Sequence, residues 1–195
     1  MKVIEYKKNI DNLKKLIVLK NKKDEKVMLN LGAGSQPVEG CINIDLIDHT
    51  ITDFVLDLME MELSESCVDE IQTHHVFEHF TELDGKILLK KWYSWLKDGG
   101  KIVISVPNLK ECIDLYCRGE YDFESLIDQI YRGRCRNNKD VDASAQWRKL
   151  NRHRAGYSPE TLKELLTQSG FKNIKRIKPP LDRDPKFTIT FEAIK

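Results

Sequence analysis

A chain of 195 residues is the size of one ordinary domain, and a hydrophobic share of 41% can build a single substantial core. The formal net charge of +1 excludes a wholly basic, histone-like protein, and no apolar run approaches the ~20 residues of a membrane span. "MKVIEYKK" lacks a secretory h-region, and Cys41, Cys67, Cys112, Cys117 and Cys135 show no CxxC spacing; we expect a cytoplasmic protein with reduced, buried thiols and neither disulfide framework nor zinc site.

In the first 25 residues Ile10, Leu13, Leu16 and Ile17 recur at helical spacing among lysines, so "NIDNLKKLIVLK" reads as an amphipathic helix on the domain edge. A membrane-surface or partner-binding role is the alternative for its lysine-rich face. From Val27 to Gly85 there is no Lys or Arg, and acids crowd the stretch. Within it "KVMLNLG", "CINIDL", "TDFVLDL" and "VDEIQTH" have strand character, each ending near a polar or acidic residue. "FTELDGKILLKKWYSWLKDGG" then places Ile87, Leu88, Trp92, Trp95 and Leu96 at helical spacing and ends on Gly99 and Gly100. "KIVISVPN" is a buried strand closed by Pro107. Between Asn108 and Gly156 the pattern loosens into helical fragments rich in Arg, Tyr and Trp, which we read as a lid or substrate-binding insertion above the carboxyl edge of the sheet. "SPETLKELLTQSGF" has Ser158 as N-cap, Pro159 at the first helical position and Gly170 past the end. "KNIKRIK" and "KFTITFEAI" supply two closing strands. The alternation predicts one α/β domain over 1–195 with a Rossmann-like, mostly parallel sheet, helices on both faces and an antiparallel edge formed by the last pair.

The glycine turn after the first strand, "LNLGAGSQPVEG", holds the functional signal. A dinucleotide fingerprint would need a third glycine where Pro37 stands, and no Gly-Lys-Ser/Thr follows for a P-loop. Asp45 ends the second strand, where a carboxylate can accept hydrogen bonds from both hydroxyls of a ribose. Only Ser35 to Gly40 separate the two strands. Six extended residues reach about 20 Å, enough to run back along a short strand, so we expect an extended crossover in place of a helix. Asp57 lies where a third loop can bring a carboxylate to an adenine amino group, with Leu58 and Met59 against the ring.

With this ordered set the sequence resembles the class I S-adenosylmethionine-dependent methyltransferases from about Val27 onward. "LNLGAGS" is similar to their cofactor loop, "INID" to their ribose-binding acid, "VLDL" to their adenine-side acid, and "VDEIQTHHVFEHF" to their fourth strand and following helix. "LLKKWYSWLKDGGKIVISVPN" and "GYSPETLKELLTQSGFKNIKRI" resemble their later helices and strands. Within that class the resemblance points to small bacterial methyltransferases associated with sugar and polysaccharide biosynthesis. It implies S-adenosylmethionine as cofactor, held by Asn30, Gly32, Ala33, Gly34, Asp45, Leu46, Asp57, Leu58 and His74. Asn30 departs from the family, since many members carry an acid there.

"HHVFEHF" places His75, Glu78 and His79 at i, i+3 and i+4, on one face if the segment is helical. Alone this is an inverzincin pattern, but the preceding strand and the upstream cofactor loop speak against a metalloprotease. In ubiquinone-type methyltransferases the matching positions can hold a divalent cation, which the resemblance implies as an alternative. Our expectation is no resident metal and a histidine base, with His75, His79 and His153 as catalytic candidates. The Arg-rich "YRGRCRNNKD" and "WRKLNRHRAGY" suit phosphate or carboxylate groups, with Tyr131, Trp147 and Tyr157 stacking on a ring. A solvated basic face is the plain alternative. We expect O-methylation of a sugar or glycan, with an anionic acceptor suited to the Arg-rich segment. A small metabolite or RNA ranks below it, nucleic acid being disfavoured by the absence of an Asn/Asp-Pro-Pro-aromatic motif, and a non-catalytic cofactor-binding module is the competing class.

Overall fold

The protein is described by a computed structural model that covers residues 9–132, 150–180 and 184–195. In chain order the elements are α1 (Ile10–Lys22), β1 (Met28–Leu31), β2 (Ile42–Asp45), β3 (Phe54–Val55), β4 (Val68–His74), a 3-10 turn (Phe77–His79), α2 (Glu82–Trp95), β5 (Leu96–Pro107), α3 (Leu109–Cys117), α4 (Phe123–Tyr131), α5 (Pro159–Gln168), β6 (Lys172–Arg176) and β7 (Thr188–Ile194). Seven strands form one sheet in the order β3-β2-β1-β4-β5-β7-β6. The first five run parallel to their neighbours, while β7 is antiparallel to both β5 and β6. The closing pair therefore forms the antiparallel edge that its β-branched run suggested, with β6 outermost.

Central strands bury one apolar face: Leu29 and Leu31 of β1, Ile71 of β4, and Ile102 and Ile104 of β5 are fully buried, with Leu29, Ile71 and Ile102 side by side in register. Helices lay apolar stripes into the same core, Leu13 and Ile17 from α1, Leu88, Leu89, Trp92 and Trp95 from α2, and Leu162 and Leu166 from α5. Asn9 caps α1 by accepting from the Asp11 amide, and Ser158 caps α5 in a capping box with Thr161 at N3. Ile87, expected on the apolar face of α2, is exposed, because the stripe is carried by Leu88, Leu89, Trp92 and Trp95 and Ile87 lies off it. The helix also ends before its glycines. Leu96 turns extended at ψ 139° and pairs with Val68, so strand pairing takes the chain over at Trp95.

Between β1 and β2 the chain crosses without a helix, as the six-residue spacing required. Asn30 Nδ2 donates to Asn43 Oδ1 at 2.9 Å and to the Gln36 carbonyl at 3.2 Å, and Gly34 N donates to Asp45 Oδ2 at 2.8 Å. Those bonds pin the crossover to the strands it joins. After β4, by contrast, the expected helix is reduced to one 3-10 turn. His75 sits at φ 57°, a left-handed conformation that no right-handed helix can pass through, and Thr81 starts a separate helix by accepting from the Asp84 amide.

At the opposite edge Asp69 ties three strands together. Its carboxylate accepts from the Val27 amide at 2.8 Å and from Lys97 Nζ at 2.9 Å. Burial alone would raise this carboxyl, but Lys97 and the Val27 amide hold it below the ordinary range. A folded-state value below the unfolded one means that the contribution is full above the unfolded carboxylate pKa and is lost as pH falls through the folded one. Asp69→Asn should accordingly lower the thermal midpoint at neutral pH, with the gap from wild type closing as both are acidified; melting curves across the acid range check this.

The thiols are less uniformly buried than expected. Cys112 is buried, Cys41 and Cys67 are half-buried and Cys117 is exposed, all four free, while Cys135 lies outside the described residues. Among the described residues no helix is long and apolar enough to cross a membrane.

Candidate functional site

The carboxyl ends of β1 to β4 open on one cavity of about 670 Å³. That is where open α/β sheets bind ligands, and the size suits a nucleoside-bearing molecule. Gly32, Ala33 and Gly34 form one wall. Gly32 has φ 73°, and a Cβ there would stand 2.2 Å from Val76 Cγ2, so the turn packs directly on the chain leaving β4. Gly34 has φ 54° and open space around it, leaving its backbone accessible.

Asp45 and Asp57 both line this cavity, as do Leu46, Leu58 and Met59. Each acid also anchors its own loop. Asp45 Oδ2 accepts from Gly34 N and Oδ1 from Ile47 N, both at 2.8 Å, while Asp57 Oδ1 accepts from Met59 N at 2.8 Å. A carboxylate oxygen has a second lone pair, so these backbone bonds orient the acids without exhausting them. His74 lines the cavity with its ring engaged by Ser105 Oγ and Gln72 Oε1, each at 2.9 Å. Asn30 is not brought to the cavity: it is 2% exposed and its amide is spent on Gln36 and Asn43. The reason is positional, since Asn30 precedes the turn and faces the crossover.

Of the three catalytic candidates, His75 and His79 line the main cavity. His153 lies behind them, in a second cavity of about 170 Å³ shared with Glu78, Gln129 and Tyr157. Glu78 stands between. It is 1% exposed, with Oε1 3.4 Å from His75 Nδ1 and 3.9 Å from His153 Nε2. Burial would push its carboxyl up, yet His75 first and then His79 and His153 bring it below the ordinary value. Burial pushes His153 down. The shared-face geometry expected of a helix is absent, but a left-handed residue and a 3-10 turn still gather His75, Glu78 and His79, and the returning chain adds His153.

Tyr157 is a correction. It is 3% exposed and stacks on Phe77 at 5.4 Å between ring centroids, so it belongs to the core and not to an acceptor platform. Tyr131 is exposed at the end of α4 and lines the second cavity, and Trp147 lies outside the described residues. The segment 108–156 leaves and rejoins the fold at one point, where Asn108 bridges Tyr157. From its described parts Arg132, Asn151 and Arg154 line the main cavity, as does Asp84 from the first turn of α2. The arginines were legible as a basic segment, whereas Asp84 carried no signal beyond that of a helix-cap acid.

A sheet of this order with a glycine turn and two acids at its carboxyl edge defines a Rossmann-like methyltransferase fold. A family model described as a methyltransferase domain matches residues 7–176, and the chain belongs to that family. Among solved structures, the fold is similar to a SAM-dependent methyltransferase from Archaeoglobus fulgidus, at 17% identity and TM-score 0.55, covering 98% of this chain and 96% of that one. It is also similar to a possible histamine N-methyltransferase from Thermotoga maritima, at 17% identity and TM-score 0.55, covering 94% and 88%. A third is the 1,6-didemethyltoxoflavin-N1-methyltransferase of Burkholderia thailandensis, at 14% identity and TM-score 0.54, covering 91% and 75%. No curated protein matches the chain in sequence.

Proposed function

We propose that this methyltransferase uses S-adenosylmethionine to O-methylate a sugar or a precursor of a cell-surface glycan in the cytoplasm. The observation that carries the donor assignment is the convergence of Gly32, Gly34, Asp45 and Asp57 on one cavity. A side chain at Gly32 would collide with Val76, Gly34 leaves its backbone open, and the two acids stand at successive strand ends, which fits a ribose and an adenine held in that order. Asp45 would hold the ribose, Asp57 and Leu58 the adenine, and the walls from Gly32 to Gly34 and at His74 the remainder.

When bound, the donor supplies an electrophilic methyl on a sulfonium, to which an acceptor oxygen bonds as the carbon–sulfur bond breaks. The chain's own work is to orient that oxygen, exclude water and take its proton. Of the three candidate bases, His75 and His79 line the cavity, while His153 lies behind Glu78 in the second one. Arg132 and Arg154, with Asn151, give the acceptor end a basic and hydrogen-bonding wall that suits hydroxyls beside a phosphate or carboxylate. A small-metabolite acceptor is the second reading, favoured by a cavity of about 670 Å³ that must hold both donor and acceptor.

Calorimetry with S-adenosylmethionine and S-adenosylhomocysteine should show one site per chain. Tritiated methyl transfer into nucleotide sugars, glycans and small phenols or amines then identifies the acceptor. Binding without transfer to any of them would leave a cofactor-binding module, and no binding of either nucleoside would refute the donor site.

A further inference from the structure

We propose that α1 docks the protein on the surface of an anionic phospholipid bilayer, through two adjoining rows of side chains in which lysines flank an exposed apolar pair. Residues four apart share a face of a helix, so Lys14, Val18 and Lys22 make one row, and Lys15, Leu19 and the C-cap Lys23 make the next. Both rows are turned away from the core, which α1 meets through Leu13 and Ile17. Val18 and Leu19 are 51% and 55% exposed at the centre. A lysine stands one turn, about 6 Å, to either side of each.

The charges on this face are unspent. Among the described residues Lys14, Lys15 and Lys22 make no ion pair, and Lys23 meets only Glu25, at 3.9 Å between two exposed side chains. From Ile10 to Lys26 six lysines stand against three acids, with no arginine. A face that met only water would gain nothing from two branched apolar side chains at its centre. A lipid surface uses both kinds of group: lysine stems lie along apolar surface and carry their ammonium groups out to the phosphates, while Val18 and Leu19 reach the acyl boundary. Nucleic acid would engage the same lysines but offers nothing to Val18 and Leu19, and these rows hold no aromatic ring or arginine with which to stack on a base.

A hollow of about 310 Å³ beside the first row extends the apolar contact. Ile17, Val18, Leu63 and Cys67 line it, together with Lys14 and Lys22. Those two lysines are eight residues, about 12 Å, apart along the helix, so an acyl chain entering between them keeps its phosphate within reach of an ammonium group. Asn21 fixes the helix over this hollow by donating from Nδ2 to the Cys67 carbonyl at 3.0 Å. Cys67 immediately precedes β4, whose carboxyl end at His74 lines the donor cavity. Docking therefore engages the opposite end of the sheet and leaves that cavity open. Since no helix among the described residues is long and apolar enough to cross a membrane, attachment through α1 is peripheral and sensitive to salt.

The inference stands apart from the donor and acceptor readings. Full-length protein should cosediment with mixed vesicles of phosphatidylcholine and phosphatidylglycerol. At low salt it should prefer them to phosphatidylcholine alone by about 100-fold, since each lysine near an anionic surface contributes about fivefold. Lys14→Gln/Lys22→Gln should weaken binding about 10- to 30-fold. Val18→Gln/Leu19→Gln should weaken it about 10-fold by removing apolar contact. All four side chains are exposed or on the surface rows, and melting curves with S-adenosylhomocysteine titration report that each variant is folded. Lys86→Gln/Lys90→Gln, on the exposed side of α2, should leave vesicle binding within about twofold. No preference for the anionic vesicles, unchanged affinity in either α1 variant, or an equal loss in the α2 variant overturns the proposal. Loss in the lysine variant alone would identify a purely ionic partner, such as an acidic protein surface or nucleic acid, and overturn the lipid assignment. Vesicle binding by a protein that binds no nucleoside would support docking and refute the donor reading.

Discussion

Asp45→Ala is expected to weaken S-adenosylhomocysteine binding about 100- to 1,000-fold. A hydrogen bond to a charged group contributes about 1.5–3 kcal/mol, and two ribose hydroxyls on one carboxylate bring the loss to about 3–4 kcal/mol. The same residue also organises its surroundings, since Gly34 N and Ile47 N both donate to it. Asp45→Asn separates these roles: its one carbonyl oxygen can retain a backbone bond, but the charge and the paired acceptor are gone. Calorimetry should place Asn between wild type and Ala, with a smaller shift in thermal midpoint than Ala shows. Affinity unchanged in the Ala protein would remove the ribose assignment, and with it the ordering of the whole cavity.

Gly32→Ala is the second large effect, and it acts through packing. The new methyl would stand 2.2 Å from Val76 Cγ2 and 2.7 Å from Cγ1, at a φ of 73° that costs an L-residue about 1–2 kcal/mol. Overpacking adds about 1–3 kcal/mol, so a loss of roughly 2–5 kcal/mol is expected in denaturant unfolding, together with loss of nucleoside binding as the turn is pushed outward. Combining it with Val76→Ala should recover the packing share and leave the backbone share. A substitution at Gly34, whose surroundings are open, should cost stability only through its φ of 54°. The contrast distinguishes a glycine needed for close approach from one needed for its conformation.

Much of this was legible because the signals are local. A four-residue strand followed by Gly-x-Gly, and an acid ending the next strand, depend on chain order alone, and the short crossover followed from the reach of six residues. The start of α5 was legible for the same reason, as Ser158 bonds an amide three residues away. Where local rules failed, a distant partner had intervened. Strand pairing with Val68 ended α2 at Trp95, the left-handed His75 replaced a helix with one 3-10 turn, and Phe77 claimed Tyr157 for the core.

The amino-acid sequence by itself determined the α/β alternation, the glycine turn and the two acids at its strand ends, because each rests on periodicity or on neighbours a few residues apart. Only the tertiary structure decided that Asn30 serves the crossover, that Glu78 is buried among three imidazoles, and that His153 reaches it across 75 positions of chain. That last contact depends on where segment 108–156 rejoins the sheet beside Asn108, and a long-range closure of this kind leaves no periodic trace in the residues that make it.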